Sequence, residues 1–176
     1  IMVIEDCAQA HGAVYKSKNV GSWGPVGAFS FCQDKIMTTG GEGGMVVTND
    51  KRLWSKMWAL QDHGKDHDTV FNKHHNPGFR WLHKSFGSNY RLTEMQAAIG
   101  RKQLIKLEKW NNQRRKNAAT LKEAFSKLEF IRNPIVPDYI GHAYYKFYVF
   151  FESRKAPIGL SRDIFIETLK ENGLFC

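Results

Sequence analysis

The 176-residue chain is 42% hydrophobic and 24% charged, a balance that excludes a disordered protein and fits one domain or slightly more. No apolar run approaches the roughly 18 residues that cross a bilayer, and the run at 1–4 is too short for a signal peptide. Three cysteines, Cys7, Cys32 and Cys176, lack the paired spacing of a disulfide framework or a zinc site. We therefore expect a soluble, cytoplasmic protein with reduced thiols.

The net charge of +9, from 26 Lys and Arg against 17 Asp and Glu, favours an anionic partner. Nucleic acid, an acidic lipid and a phosphorylated small molecule all fit that sign. The densest basic stretch, from Lys102 to Lys116, is interrupted by polar residues, which is typical of a solvated helix face. The histidines between residues 62 and 87 lack metal-ligand spacing, so no metal site is indicated.

Short apolar runs bounded by glycines predict strands at 1–4, 26–32 and 44–48. The segment 51–61 predicts a helix capped by Asn49 or Asp50. Alternation of strands and helices indicates an α/β layer. Because the first run is apolar on both faces, we expect a parallel sheet covered by helices.

The remaining chain divides into a loop and further helices. Residues 62–87 have no clear period and predict a long loop. Thr93 and Gln96 form a capping box, and the apolar stripe behind them reaches Leu128. This stripe predicts one long helix, or two joined near Asn111.

The last part of the chain predicts a strand at 144–151 and a capped helix at 161–172 that ends at Gly173. The chain opens directly in an apolar run and closes at Cys176, just past this helix stop. We therefore expect a segment of a longer protein.

Three polar side chains lie around the ends of the first two predicted strands. In open α/β sheets, ligands collect at the carboxyl ends of strands, where Asp6, Ser30 and Lys35 are expected to lie. A lysine at such an edge can form a Schiff base, and an Asp there can pair with a pyridinium nitrogen. Pyridoxal phosphate needs both roles. Taken singly, Asp6 fits a turn cap, Ser30 a core hydroxyl and Lys35 a solvated amine better than each fits a catalytic role.

The segments VIEDCAQAHGAVYKSKNVGSWGPVGAFSFCQDKIMTTGGEGGMVVTND and GSNYRLTEMQAAIG resemble, over essentially the whole chain, the DegT/DnrJ/StrS family of pyridoxal-phosphate-dependent sugar aminotransferases. The resemblance implies an α/β chain that is part of the fold type I transferase fold. Residues 1–92 would be the C-terminal half of the cofactor-binding large domain. Residues 93–129 would form a long connecting helix, and residues 130–176 the beginning of the small C-terminal domain.

The resemblance also implies site residues. Asp6 would bind the pyridine nitrogen of the cofactor, and Gln9 would lie by its phenolic oxygen. Ser30 would donate its hydroxyl to the phosphate, and Lys35 would form the Schiff base and carry the proton. Asn89 would reach the phosphate of the neighbouring subunit's cofactor, which implies a homodimer with shared active sites.

Two further positions bear on the substrate. Arg91 would meet a substrate carboxylate. Lys35 argues against the branch of the family in which histidine replaces the lysine and the enzyme dehydrates a sugar. The stretch from Phe31 to Asp34 departs from many relatives, and Asp34 can raise or orient the neighbouring amine. His11 fits turn packing better than catalysis.

The implied reaction moves an amino group from glutamate or a similar donor to a nucleotide-linked keto-sugar, in surface-polysaccharide or secondary-metabolite biosynthesis. Family members are about twice this length, and their preceding half supplies a ring-stacking aromatic and a phosphate-gripping turn. We therefore expect these 176 residues alone to be inactive. The competing hypothesis is a non-catalytic regulatory or nucleic-acid-binding relative, against which the scattered basic residues argue.

Overall fold

The computed structural model describes residues 1–174, so Cys176 and its expected reduced thiol lie outside the described residues. The strands are β1 (Ile4–Asp6), β2 (Val14–Tyr15), β3 (Lys18–Asn19), β4 (Val26–Ser30), β5 (Gly44–Val47), β6 (Ile131–Arg132), β7 (Ile140–Gly141) and β8 (Phe150–Phe151). The helices are α1 (Lys51–Gln61), α2 (His67–Phe71), α3 (Glu94–Ser126) and α4 (Arg162–Glu171), with a 3₁₀ turn at Ser153–Lys155.

None of the helices described up to residue 174 combines the length and apolar character that crossing a membrane requires.

The main sheet has the strand order β1-β4-β5. β1 runs parallel to β4, with Asp6 opposite Ala28, whereas β5 runs antiparallel to β4, with Gly44 opposite Ser30. The expectation of a parallel sheet therefore holds for the first pair and is wrong for β5. The glycine-rich segment 31–43 folds back directly, and a short return joins antiparallel neighbours without a crossover helix.

The segment between β3 and β4 is tied to the main sheet by two close approaches. A Cβ atom on Gly27 would lie 2.5 Å from the Cα of Gly21, which adopts the left-handed φ of +84° that favours glycine. The Glu5 carboxylate accepts the N–H groups of Gly21, Trp23 and Gly24 at 2.6 to 2.7 Å. β1 and β4 are thereby held in one register.

Helix α1 has the predicted bounds, and its cap is Asp50, whose carboxylate accepts the N–H groups of Arg52 and Leu53. The prediction of an unbroken loop over 62–87 is wrong, because α2 lies within it. This short helix begins where Asp66 accepts the N–H of Thr69. Its capping signal sits in a polar stretch without an apolar period.

Helix α3 is continuous over 33 residues and begins with the predicted capping box of Thr93 and Gln96. The alternative of two helices joined near Asn111 is therefore wrong. Asn111 is buried and donates its side-chain amide to the carbonyl of His11 at 2.9 Å. This contact fastens the middle of α3 to the turn that follows β1.

Two small sheets complete the described fold: β3-β2-β7, in which the hairpin at residues 14–19 pairs with β7, and β6-β8 in the C-terminal part. The predicted strand over 144–151 is wrong except at β8. Tyr144 adopts a φ of +48°, which an extended strand does not allow, and Phe147 stacks on Phe125 of α3. Helix α4 is confirmed, with Ser161 as its cap.

Candidate functional site

The parallel pairing of β1 and β4 brings Asp6 and Ser30 to the same edge of the main sheet. Just past β1, the N–H of Cys7 donates to the carbonyl of Ala28 at 2.8 Å, which continues the ladder to the end of the strand. One oxygen of Asp6 accepts the N–H of Ala8 at 3.0 Å. The carboxylate is therefore held by its own turn, with its second oxygen free of protein donors within residues 1–174.

Lys35 lies on the segment between β4 and β5, which is firmly packed. Ile36 and Met37 are only 3% and 6% exposed. The N–H of Thr38 donates to the side-chain oxygen of Gln103 on α3 at 3.1 Å. The segment that carries Lys35 is therefore anchored by its buried residues Ile36 and Met37 and by the contact of Thr38 with the long helix.

A cavity of about 420 Å³ opens beside the end of β1. We call it the Asp6 cavity. Asp6 and Gln9 line one side, and Tyr145, Lys146 and Tyr148 line the other. Two of the predicted site residues therefore share one cavity with an aromatic segment from the far end of the chain.

Tyr145 connects Lys35 to this cavity. The amine of Lys35 lies 4.9 Å from the centre of the Tyr145 ring and 3.9 Å from Oδ1 of Asp34. The Tyr145 hydroxyl donates to Oδ2 of Asp34. This hydrogen bond raises the pKa of Tyr145 to about 12 and holds the pKa of Asp34 below its ordinary value. Tyr145 was not identified from sequence, because its aromatic run was interpreted as a strand.

Ser30 lies at the same edge but makes a different contact. Its hydroxyl oxygen accepts the N–H of Cys32 at 3.3 Å. This leaves the hydroxyl proton available to an acceptor from outside the protein. The side chain is partly exposed, as a group that contacts a ligand needs to be.

His11 occupies the interior behind this edge. The side chain is 3% exposed, and burial lowers the pKa of its imidazole. Its ring lies 5.6 Å and 5.8 Å from the rings of Phe29 and Phe31. The position agrees with the predicted role in turn packing.

Asn89 and Arg91 lie in a second group of polar residues, which we call the Asp62 cluster. Oδ1 of Asp62 lies 3.1 Å from the amine of Lys65, 3.3 Å from the guanidinium of Arg91 and 3.6 Å from the imidazole of His63. The backbone of Asp62 forms a β-bridge with Asn89. Asn89 in turn accepts a hydrogen bond from Arg91 at 3.1 Å. Within residues 1–174, no hydrogen bond or ion pair joins this cluster to the Asp6 cavity. The structure therefore does not bring Asn89 and Arg91 together with the other predicted site residues.

Comparison with known proteins identifies the family. The model of the DegT/DnrJ/EryC1/StrS aminotransferase family matches residues 1–176. The crystal structure of an aminotransferase from Psychrobacter cryohalolentis superposes with a TM-score of 0.95 at 52% identity, over 100% of this chain and 47% of that one. S. venezuelae DesV, solved in complex with a ketimine intermediate, gives a TM-score of 0.81 at 31% identity, over 99% of this chain and 42% of that one.

A curated relative agrees with these structures. The UDP-N-acetyl-3-dehydro-alpha-D-glucosamine 3-aminotransferase of Acidithiobacillus ferrooxidans is 36% identical over 156 residues, which are 89% of this chain and 39% of that protein. The chain thus spans less than half the length of these three proteins. Its mixed α/β architecture is that of the corresponding part of a fold type I transferase. The chain belongs to the DegT/DnrJ/EryC1/StrS aminotransferase family.

Proposed function

We propose that the protein containing this chain is a pyridoxal-phosphate-dependent aminotransferase. It would move an amino group from glutamate or a similar donor to a nucleotide-linked keto-sugar, for surface polysaccharide or secondary metabolites. The family and the printed activity of the Acidithiobacillus relative support this assignment. The observation that carries it is the shared cavity: Asp6 and Gln9 face Tyr145, whose ring holds the amine of Lys35.

The chemistry of these side chains fits the cofactor. A cationic ring nitrogen needs a carboxylate, an aldehyde needs an amine, and a phosphate needs donors. Asp6, Lys35 and Ser30 supply these groups at the edge formed by β1 and β4. When bound, pyridoxal phosphate supplies an electron sink for the carbanion that forms as a proton leaves the amine-bearing carbon.

The residues would divide the work as follows. Asp6, which lines the cavity, would keep a proton on the ring nitrogen. Gln9 would orient the ring through its phenolic oxygen, and Ser30 would donate to the phosphate. The amine of Lys35 would hold the cofactor and then carry the proton between the substrate carbon and the cofactor, a transfer that typically contributes about 10² to 10⁴ in rate.

The Asp62 cluster is proposed to act across a dimer. Asn89 and Arg91 are exposed and lie outside the Asp6 cavity, so they are free to face a neighbouring subunit. Asn89 would reach the phosphate of the partner's cofactor, and Arg91 would meet a substrate carboxylate. Among residues 1–174, Cys7 and Cys32 are free thiols, which suits the reducing cytoplasm in which we expect the enzyme to work.

Membership of the family is also the basis on which we propose a division of the chain into domains. Residues 1–92 would belong to the large domain, 93–129 to the connecting helix and 130–176 to the small domain. The phosphate-gripping turn and the ring-stacking aromatic would come from the preceding half of the protein. The 176 residues in isolation are therefore expected not to turn over substrate.

The test is an absorbance spectrum of the full-length protein with pyridoxal phosphate, before and after borohydride reduction. We expect a reducible band that is lost in Lys35→Ala. Lys146→Ala is the matched control, because Lys146 also faces the Tyr145 ring, at 5.3 Å, and its band should remain. A protein without any reducible band would overturn the proposal and favour the regulatory or nucleic-acid-binding alternative.

A further inference from the structure

The amine of Lys35 is held near a carboxylate without being bonded to it. Within residues 1–174 its Nζ atom has no hydrogen-bond partner. Its polar neighbour is Oδ1 of Asp34 at 3.9 Å, which is beyond hydrogen-bonding distance. The Lys35 side chain is 15% exposed. The amine is thus shielded from water yet not engaged by a donor or acceptor.

Tyr145 makes the main side-chain contact to the Asp34 carboxylate, and the thiol of Cys32 makes a weaker one. The Asp34 side chain is 56% exposed, so packing does not fix it. The hydroxyl of Tyr145, 111 residues further along the chain, donates to its second oxygen, Oδ2. With that oxygen occupied, the carboxylate is turned so that its other oxygen stops short of the Lys35 amine.

The Tyr145 ring supplies the second contact. The Lys35 amine lies 4.9 Å from its centre, within the range of a cation–π interaction. The same ring forms part of the wall of the Asp6 cavity. One side chain therefore both restrains the neighbouring carboxylate and holds the amine at the edge of the cavity.

We infer that Tyr145 is a positioning residue for Lys35. Its hydroxyl keeps the Asp34 carboxylate, 3.9 Å from the amine, from closing to hydrogen-bonding distance, and its ring lies against the amine at the cavity. This inference rests on the proposed function, in which the amine must act as a nucleophile. An amine locked into a hydrogen-bonded ion pair stays protonated and is a poor nucleophile.

The reactivity of the amine tests this role without cofactor or substrate. The full-length protein, freed of cofactor, is labelled with limiting acetic anhydride at neutral pH, and mass spectrometry compares Lys35 with the exposed Lys106. In Tyr145→Phe the released carboxylate should close on the amine, and Lys35 labelling should fall about three- to fivefold, the effect of one partly exposed ion pair. Adding Asp34→Asn to that variant removes the carboxylate and should restore the rate.

Tyr139→Phe is the control for loss of a tyrosine hydroxyl, because Tyr139 is exposed and its hydroxyl makes no hydrogen bond in the described part of the chain. Its Lys35 labelling should match that of the unmodified sequence. An unchanged rate in Tyr145→Phe, or a fall that Asp34→Asn does not restore, would overturn the inference. Should Tyr145→Phe fail to fold, Asp34→Asn alone should label Lys35 about twofold faster, and an equal or slower rate would overturn it.

The two proposals fail separately. If labelling follows the expectation but no borohydride-reducible band forms, the proposed function is wrong and the positioning of Lys35 by Tyr145 stands. If the band forms and depends on Lys35, while the labelling rates do not change, the proposed function stands and the role of Tyr145 is wrong.

Discussion

Two parts of the molecule hold carboxylates in place, and they do so by different means. At the Asp6 edge, the carboxylates are held by backbone N–H groups, since Asp6 accepts from Ala8 and Glu5 accepts from three residues of the segment 21–24. In the Asp62 cluster, the carboxylate is held by Lys65 and Arg91. Backbone donors are fixed by the fold, whereas long cationic side chains are not.

This difference separates preorganisation from adaptability. Groups fixed by strand register cost no reorganisation when a ligand binds, which is what a catalytic edge requires. The cations around Asp62 are partly exposed, with side-chain exposures of 25% for Lys65 and 48% for Arg91. Because the Asp62 carboxylate is itself buried, one of them must stay on it, while the other can turn toward another anion. The first region therefore suits chemistry, and the second suits recognition of an anion.

The largest expected effect comes from changing the charge at the fixed edge while keeping its shape. In Asp6→Asn the side-chain oxygen still accepts the N–H of Ala8, so the fold should be unaffected. Loss of the carboxylate should lower the rate of amine uptake from the donor by about 10²- to 10³-fold, as for removal of one preorganised electrostatic group. Stopped-flow absorbance of the cofactor measures this rate.

The thermal midpoint of Asp6→Asn gives the control for this variant, because it should stay at that of the unmodified sequence. Asp138→Asn, a change of an exposed carboxylate, should leave the rate unchanged. A loss of less than tenfold in Asp6→Asn would show that this carboxylate does not serve the reaction.

The sequence allowed much of the fixed edge to be predicted, and the reason is that it is local. Asp6 and Ser30 are the last residues of β1 and β4, and Lys35 lies just past β4; the carboxyl ends of neighbouring parallel strands meet at one edge. The bounds of α1 and the capping box of α3 were also predictable, because caps and apolar periods lie within a few residues of each other.

Tyr145 could not be predicted, since its partner Asp34 is 111 residues away and nothing in the local pattern encodes that contact. The run around it is aromatic enough for a strand, but the φ of +48° at Tyr144 turns these side chains toward other elements. Helix α2 was missed for a different reason. At five residues it is too short to show a helical period.

A smaller effect is expected from Glu5→Gln. Its dependence on pH tests whether backbone N–H groups hold the Glu5 carboxylate. Burial of the Glu5 carboxylate acts to raise its pKa, but the N–H groups of Gly24, Gly21 and Trp23 outweigh this and hold it below the ordinary 4.5. The stabilisation is therefore complete above that ordinary value and is lost as the pH falls through the lower pKa of the folded state.

Since the amide of Gln directs N–H groups toward one of these backbone donors, Glu5→Gln should lower the free energy of unfolding by about 2 kcal/mol near neutral pH. The difference from the unmodified sequence should shrink in acid and should change little with salt. Urea unfolding of the full-length protein across this pH range measures both. A difference that persists unchanged in strong acid would contradict the role of the ionised carboxylate.

The smallest effect is expected from Asp62→Asn, and its dependence on salt sets it apart from Glu5→Gln. Because the cations around Asp62 are partly exposed, the variant should lose only about 1 kcal/mol of unfolding free energy at low ionic strength. Screening should remove most of that difference by about 1 M salt, where the Debye length is roughly 3 Å.

The borohydride-reducible band of Lys35 should remain in Asp62→Asn, since no hydrogen bond or ion pair in residues 1–174 joins the two regions and distant sites act additively. A loss of the band in Asp62→Asn would mean that the two regions are coupled, and the division between a fixed catalytic edge and an adaptable cluster would then fail.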